Sequence, residues 1–298
     1  MGFLCYTIII IDHRRAQVNF FAITAFGEAV LCYFFISLGF VLQKKGISWL
    51  GYQGAKDHRF YINRRLWFIG YILLNLAIIP NYLSLGVLNS YIVNAISGLN
   101  IIFTIFLSKF ILNEKLFFLD YIYSFIMCTA IAVINFLDQT SNAALTIHTR
   151  YAYWAGAIPV GMFLIWAILH SIKVIRPTSS RQAILLAALG GSMSGLMVTY
   201  LKILEIQHGM KILSYIFSPY LYLFFTVALL SMVAFQIAYK MADMIVVGPS
   251  QYAMMIFYPT VSAYLIFQVP VHPIQVFCFT LIVVTVGFMV YLHNSPEK

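Results

Sequence analysis

The sequence predicts an all-α, polytopic membrane protein of about nine transmembrane helices, and three observations lead there. Hydrophobic residues make up 62% of the 298 and charged residues only 9%, more apolar surface than a soluble domain of this size buries in one core. Apolar runs recur from Phe20 to His293 with only brief polar connections between them, each near the roughly 20 residues needed to cross about 30 Å of hydrocarbon. The runs are continuous rather than alternating, which excludes a membrane β-barrel.

In chain order, the first span runs from Phe20 to Leu42 and ends at the basic stretch Lys44-Lys45. The second, Leu66 to Gly86, is separated from the third, Asn89 to Leu112, by Gly86-Val87-Leu88-Asn89. The turn Asn113-Glu114-Lys115-Leu116 leads to the fourth, Phe117 to Leu137, and the fifth runs from Tyr151 to Ser171. A basic, polar break precedes the sixth, Ala183 to Leu204; then come Pro219 to Tyr239, Ile245 to Phe267 and Ile274 to Leu292. Met1 to Ile11 is too short to span and has no basic stretch before its apolar part, unlike a signal peptide. Cys5, Cys32, Cys128 and Cys278 have neither CxxC nor His spacing and read as small packing residues. No Walker loop, GxGxxG or HExxH motif is present, so the chain reads as a non-enzyme without a cofactor.

The net charge of +9 is a topology signal rather than a nucleic-acid footprint. One side of the membrane collects Lys44, Lys45, Lys56, Arg59, Arg64, Arg65, Lys109, Lys115, Lys173, Arg176, Arg181, Lys240 and Lys298. The other holds Arg14, Arg15, Arg150, Lys202 and Lys211. The excess of basic residues on the first side makes it cytoplasmic, with the N-terminus outside and the C-terminus in the cytoplasm.

The chain reads as a single membrane domain, 1–298. Residues 20–137 (helices one to four) form a first repeat, 151–171 a linking helix, and 183–292 (helices six to nine) a second repeat. Helix breaks fall into step at an offset of about five spans, an odd displacement that inverts one half relative to the other, as in many secondary transporters.

Polar residues at membrane depth mark a candidate path. Glu28 lies about a third of the way into the first span, with Thr24 and Cys32 one turn away on its face. A buried carboxylate costs about 2.5 to 3.5 kcal/mol on insertion scales and serves either as a cation or proton site or as a neutral, hydrogen-bonded acid. Ser90, Asn94, Ser97, Thr104 and Ser108 share a face of the third span, as a hydrogen-bonding lining or as helix-to-helix contacts. The eighth carries Ser250, Thr260 and Tyr264 after Gly248-Pro249, a pair read as beginning that helix. Gly191 and Gly195 give a GxxxG spacing that favours close packing. Glu28, Asn75, Asn94, Ser97, Asn100, Thr104, Gln236, Tyr239 and Ser250 are the candidate path residues, with Glu28 the candidate metal ligand.

Three stretches carry a family resemblance. Gly39-Phe40-Val41-Leu42-Gln43-Lys44-Lys45-Gly46-Ile47 resembles the first-helix exit of NIPA-type magnesium transporters, members of the drug/metabolite transporter superfamily. The likeness continues through Arg64-Arg65-Leu66-Trp67-Phe68-Ile69-Gly70. It extends to Leu107-Ser108-Lys109-Phe110-Ile111-Leu112-Asn113-Glu114-Lys115-Leu116, similar to the superfamily's helix end followed by a GE(K/R)L-like turn. Glu28 departs from the NIPA pattern and is similar instead to the membrane-embedded acid of small multidrug resistance transporters. The resemblance implies a secondary transporter moving Mg²⁺ or another divalent cation by alternating access. The alternative is a proton-coupled exporter of an organic cation or small metabolite; a scaffold or receptor would leave Glu28 without a task. The partners expected are the cargo and membrane lipid, and no nucleic acid.

Overall fold

A computed structural model describes residues 2–50, 58–85, 87–88, 90–137, 147–172, 180–209, 212–268 and 271–294, with side chains from Phe21 onward except those of 22, 90, 91, 94, 212 and 294. The described residues form helices joined by short turns: α1 (Gly2–Gly46), α2 (His58–Leu76), α3 (Ile78–Leu85), α4 (Ser90–Ile96), α5 (Leu99–Leu107), α6 (Phe118–Leu137), α7 (Thr149–Ser171), α8 (Ser180–His208), α9 (Pro219–Met241), α10 (Met244–Phe267) and α11 (Pro273–Asn294). Among the described residues, seven stretches are long and apolar enough to cross a membrane, α2 and α3 counting as one. The two that fall short, α4 with α5 and α10, coincide with the third and eighth spans of the sequence reading. These two also carry half of the buried polar side chains discussed below. The protein is an all-α, multi-pass membrane protein.

Two spans are broken for identifiable reasons. Between α2 and α3 the helix pauses at Ala77, because Pro80 has no N–H to give the carbonyl four residues back. Between α4 and α5 it pauses at Ser97-Gly98, where Gly98 lies so close to α6 that a Cβ would stand 2.8 Å from the Cys128 carbonyl oxygen. The third span then ends in a π-helical turn, Ser108–Leu112, and Asn113 at φ 58° turns the chain towards Glu114. Gly248-Pro249 does not begin a helix as expected: α10 starts at Met244, so the pair lies in its second turn.

Helix α1 packs on α2, α3 and α5; α8 packs on α9 and α10; α5 meets α10, and α6 meets α11. Glycines allow the tightest of these crossings. The Gly191-to-Gly195 spacing read as a packing motif does serve packing. A Cβ on Gly191 would lie 2.3 Å from the Gln251 carbonyl oxygen, and one on Gly195 would lie 2.6 Å from that of Met255. The largest cluster of buried side chains gathers around α8, with Leu186, Met193, Leu196 and Tyr200 almost wholly enclosed.

Candidate functional site

The polar groups of the interior fall into tiers along α1. At the level of Ser37 the hydroxyl contacts both the Asn100 side-chain oxygen, at 2.6 Å, and the Asn100 carbonyl, at 2.9 Å. One turn on along α5, Thr104 is fully buried, and the Tyr252 hydroxyl of α10 faces Thr104 and Ser37. Neither Thr104 Oγ1 nor Tyr252 Oη makes a well-formed hydrogen bond, although the Tyr252 hydroxyl lies within interaction reach of both Thr104 and Ser37. A buried polar atom left unpaired costs about 1–3 kcal/mol, so such atoms call for an explanation. The cluster has this geometry because Gly248 lets α10 approach α5 until a Cβ there would stand 3.0 Å from the Thr104 methyl carbon.

The next tier is aromatic. Phe40 packs edge-on against Phe235, Tyr239 and Tyr252, with ring centroids 6.0 to 6.4 Å apart. The Tyr239 hydroxyl donates to Gln251 Oε1 at 2.9 Å, while Gln251 Nε2 is a third buried atom without a partner. To the side, Trp67 Nε1 donates to Gln236 Oε1 at 2.8 Å and Gln236 Nε2 to Gln43 Oε1 at 3.1 Å, tying α9 to α1 and α2.

The last tier closes the end of the bundle where α1 finishes, here termed the basic end. Lys44 Nζ donates to the Tyr239 carbonyl at 2.8 Å and to the Ala242 carbonyl, satisfying acceptors that the end of α9 leaves unpaired. Glu114 accepts from the Met244 N–H at 2.7 Å and the Ile245 N–H at 3.0 Å, so its carboxylate sits at the positive end of α10. Asp243, in the N-cap position, makes no capping bond of its own. Burial pushes the Glu114 carboxyl above its ordinary range, opposed in order by the Met244 N–H, Lys44 and the Ile245 N–H.

Of the residues chosen from sequence, Asn100, Thr104 and Tyr239 therefore line this polar column. Gln236 is spent on its bridge, and Ser250 donates to the Val246 carbonyl within its own helix. Ser97 is half-buried at the break before α5. Asn75 is exposed and donates to the Tyr71 carbonyl. Asn94 belongs to α4, but its side chain lies outside the described residues. Glu28 is half-buried, nine residues from Ser37 and so about 13 Å further along α1. At that level Ala29, Cys32 and Tyr33 pack against Ala77, Val93 and Ile96. Among the described residues no group of three His, Cys, Asp or Glu side chains could hold a metal.

Ser37, Gln251 and Tyr252 were missed. Ser37 stands alone in an apolar run. On α10 the sequence marks Ser250, one and two positions short of the residues that face the column, and one helical residue rotates a side chain by about 100°.

The family model described as "Magnesium transporter NIPA" matches residues 21–295. The chain belongs to the NIPA magnesium transporter family. No curated protein and no solved structure matches it. Family membership makes this NIPA-type chain a membrane cation transporter, and the match takes in every tier of the column. For such a protein the donor set is hydroxyl and amide oxygen, the ligand chemistry of a hard divalent ion that keeps part of its water shell.

Proposed function

We propose that this NIPA-type chain moves Mg²⁺ across the membrane by alternating access, with Ser37, Asn100, Thr104 and Tyr252 forming the central station. The observation that carries the reading is the cluster of buried hydroxyls on Thr104 and Tyr252, neither in a well-formed hydrogen bond, beside the Ser37–Asn100 pair. An ion that sheds some of its waters there gains hydroxyl-oxygen lone pairs, two on each oxygen. Glu28 lies towards the other end of α1 and attracts the cation before it reaches the neutral centre. Asn94 and Ser97, on the α4–α5 span, continue the proposed path between the two levels.

The basic end, proposed to be cytoplasmic, acts as the closure. A cation leaving there passes the Lys44 ammonium, which α9 carbonyls hold across the exit. The matching packing of α1 on α2, α3 and α5 and of α8 on α9 and α10 supports two inverted repeats that rock against one another. Rocking of that kind breaks the Lys44 and Glu114 ties and remakes them with each cycle.

A second reading, proton-coupled export of an organic cation, draws on the rings around Phe40, since aromatic faces attract soft cations. Purified protein in vesicles loaded with a Mg²⁺ indicator separates the two. The proposal expects saturable Mg²⁺ entry without a pH gradient, and a reduced rate in Glu28→Gln. Absence of Mg²⁺ movement together with dye-cation export driven by a pH gradient overturns it in favour of the exporter.

A further inference from the structure

A groove of about 610 Å³ opens on the flank of the bundle between α2 and α9, within the size range of pockets that enclose small organic ligands. Trp67, Phe68 and Tyr71 form one wall and Leu229 and Val233 the other. Phe68, Tyr71, Leu229 and Val233 are exposed although they belong to helices apolar enough to cross a membrane, so the groove faces lipid. Its charge is one-sided. Lys240 lines it at the end of α9, and no acidic residue does. On α2, Arg64 is exposed and precedes Trp67, Phe68 and Tyr71 by three, four and seven residues, the spacing that shares a helix face. The two basic groups thus stand at the same end of the two walls. Trp49 also lines the groove, and its indole N–H is buried without a hydrogen-bond partner.

We propose that this groove holds one anionic glycerophospholipid. An acyl chain lies between α2 and α9, and the phosphate-bearing headgroup sits between Arg64 and Lys240. Apolar walls alone accept any lipid tail. The two cations select the anionic headgroup, each basic group near a membrane surface favouring it roughly fivefold. The lipid also contacts Gln236, so it rests on the bridge that ties α9 to α1 and α2. The site does not depend on the transported ion.

The test uses tryptophan emission from full-length protein carrying Trp154→Phe and Trp166→Phe, which leaves Trp49 and Trp67 as the emitters. The protein is reconstituted in vesicles containing either brominated phosphatidylglycerol or brominated phosphatidylcholine at equal mole fraction. Stronger quenching by the phosphatidylglycerol is expected. That excess should fall about fivefold in Arg64→Gln and shrink in the parent protein as salt is raised. Equal quenching by the two lipids, which is annular lipid only, overturns the proposal. An excess that neither salt nor Arg64→Gln reduces overturns the headgroup placement. The salt titration needs no further substitution, so a variant that fails to fold leaves the test intact.

Discussion

Glu114 caps a helix that begins 130 residues further along the chain, in the position where Asp243 forms no side-chain capping bond. Hydrogen bonds to a charged group are worth about 1.5–3 kcal/mol each, and this carboxylate accepts two. Its burial also predicts a pH dependence. The folded protein raises the carboxyl above its unfolded value, so between the two the native state binds more protons. The group's contribution then declines as pH rises from the unfolded value, near 4.3, through the higher folded one. Thermal unfolding in detergent should show the midpoint falling with rising pH across that window, by a larger amount in the parent protein than in Glu114→Gln. Identical slopes would contradict the assignment. Sequence alone marked Lys44 as a topology charge and Glu114 as part of a superfamily turn, because local patterns report what stands next to a residue. That both meet the α9–α10 turn depends on contacts spanning 130 to 198 positions.

At the level of elements, span lengths were legible because hydrocarbon thickness sets them, and the all-helical, multi-pass reading rests on that constraint. The interruptions were less so. Pro249 lies inside α10 rather than at its start, and the pause at Ser97-Gly98 coincides with a neighbouring backbone that a single helix cannot announce. Glycines show the same divide. A Cβ at Gly161 meets nothing within 4 Å, whereas one at Gly191 collides with the α10 backbone. Gly161→Ala is therefore expected to stabilise by about 0.5–1 kcal/mol through helix propensity. Gly191→Ala is expected to destabilise by about 1–3 kcal/mol through overpacking. Thermal midpoints of the two variants in the same detergent check the contrast, and a Gly191→Ala protein as stable as the parent would refute the close α8–α10 crossing.

For the whole molecule, the polar column from Ser37 to Lys44 has neutral oxygens at its middle and a held ammonium at the basic end, with Glu28 nine residues before Ser37 on α1. The middle oxygens are proposed to receive the cation. Thr104 tests this most directly, because its buried hydroxyl makes no well-formed hydrogen bond and Val keeps the side chain's shape. The substitution removes a buried polar atom without a well-formed hydrogen bond, so the fold should keep its thermal midpoint. The decisive measurement is initial Mg²⁺ flux in vesicles for Thr104→Val beside the parent chain. The account predicts a loss of about tenfold or more, the equivalent of one ligand contact of about 1.4 kcal/mol, with stability intact. Parent-like flux from a stable Thr104→Val protein would contradict it.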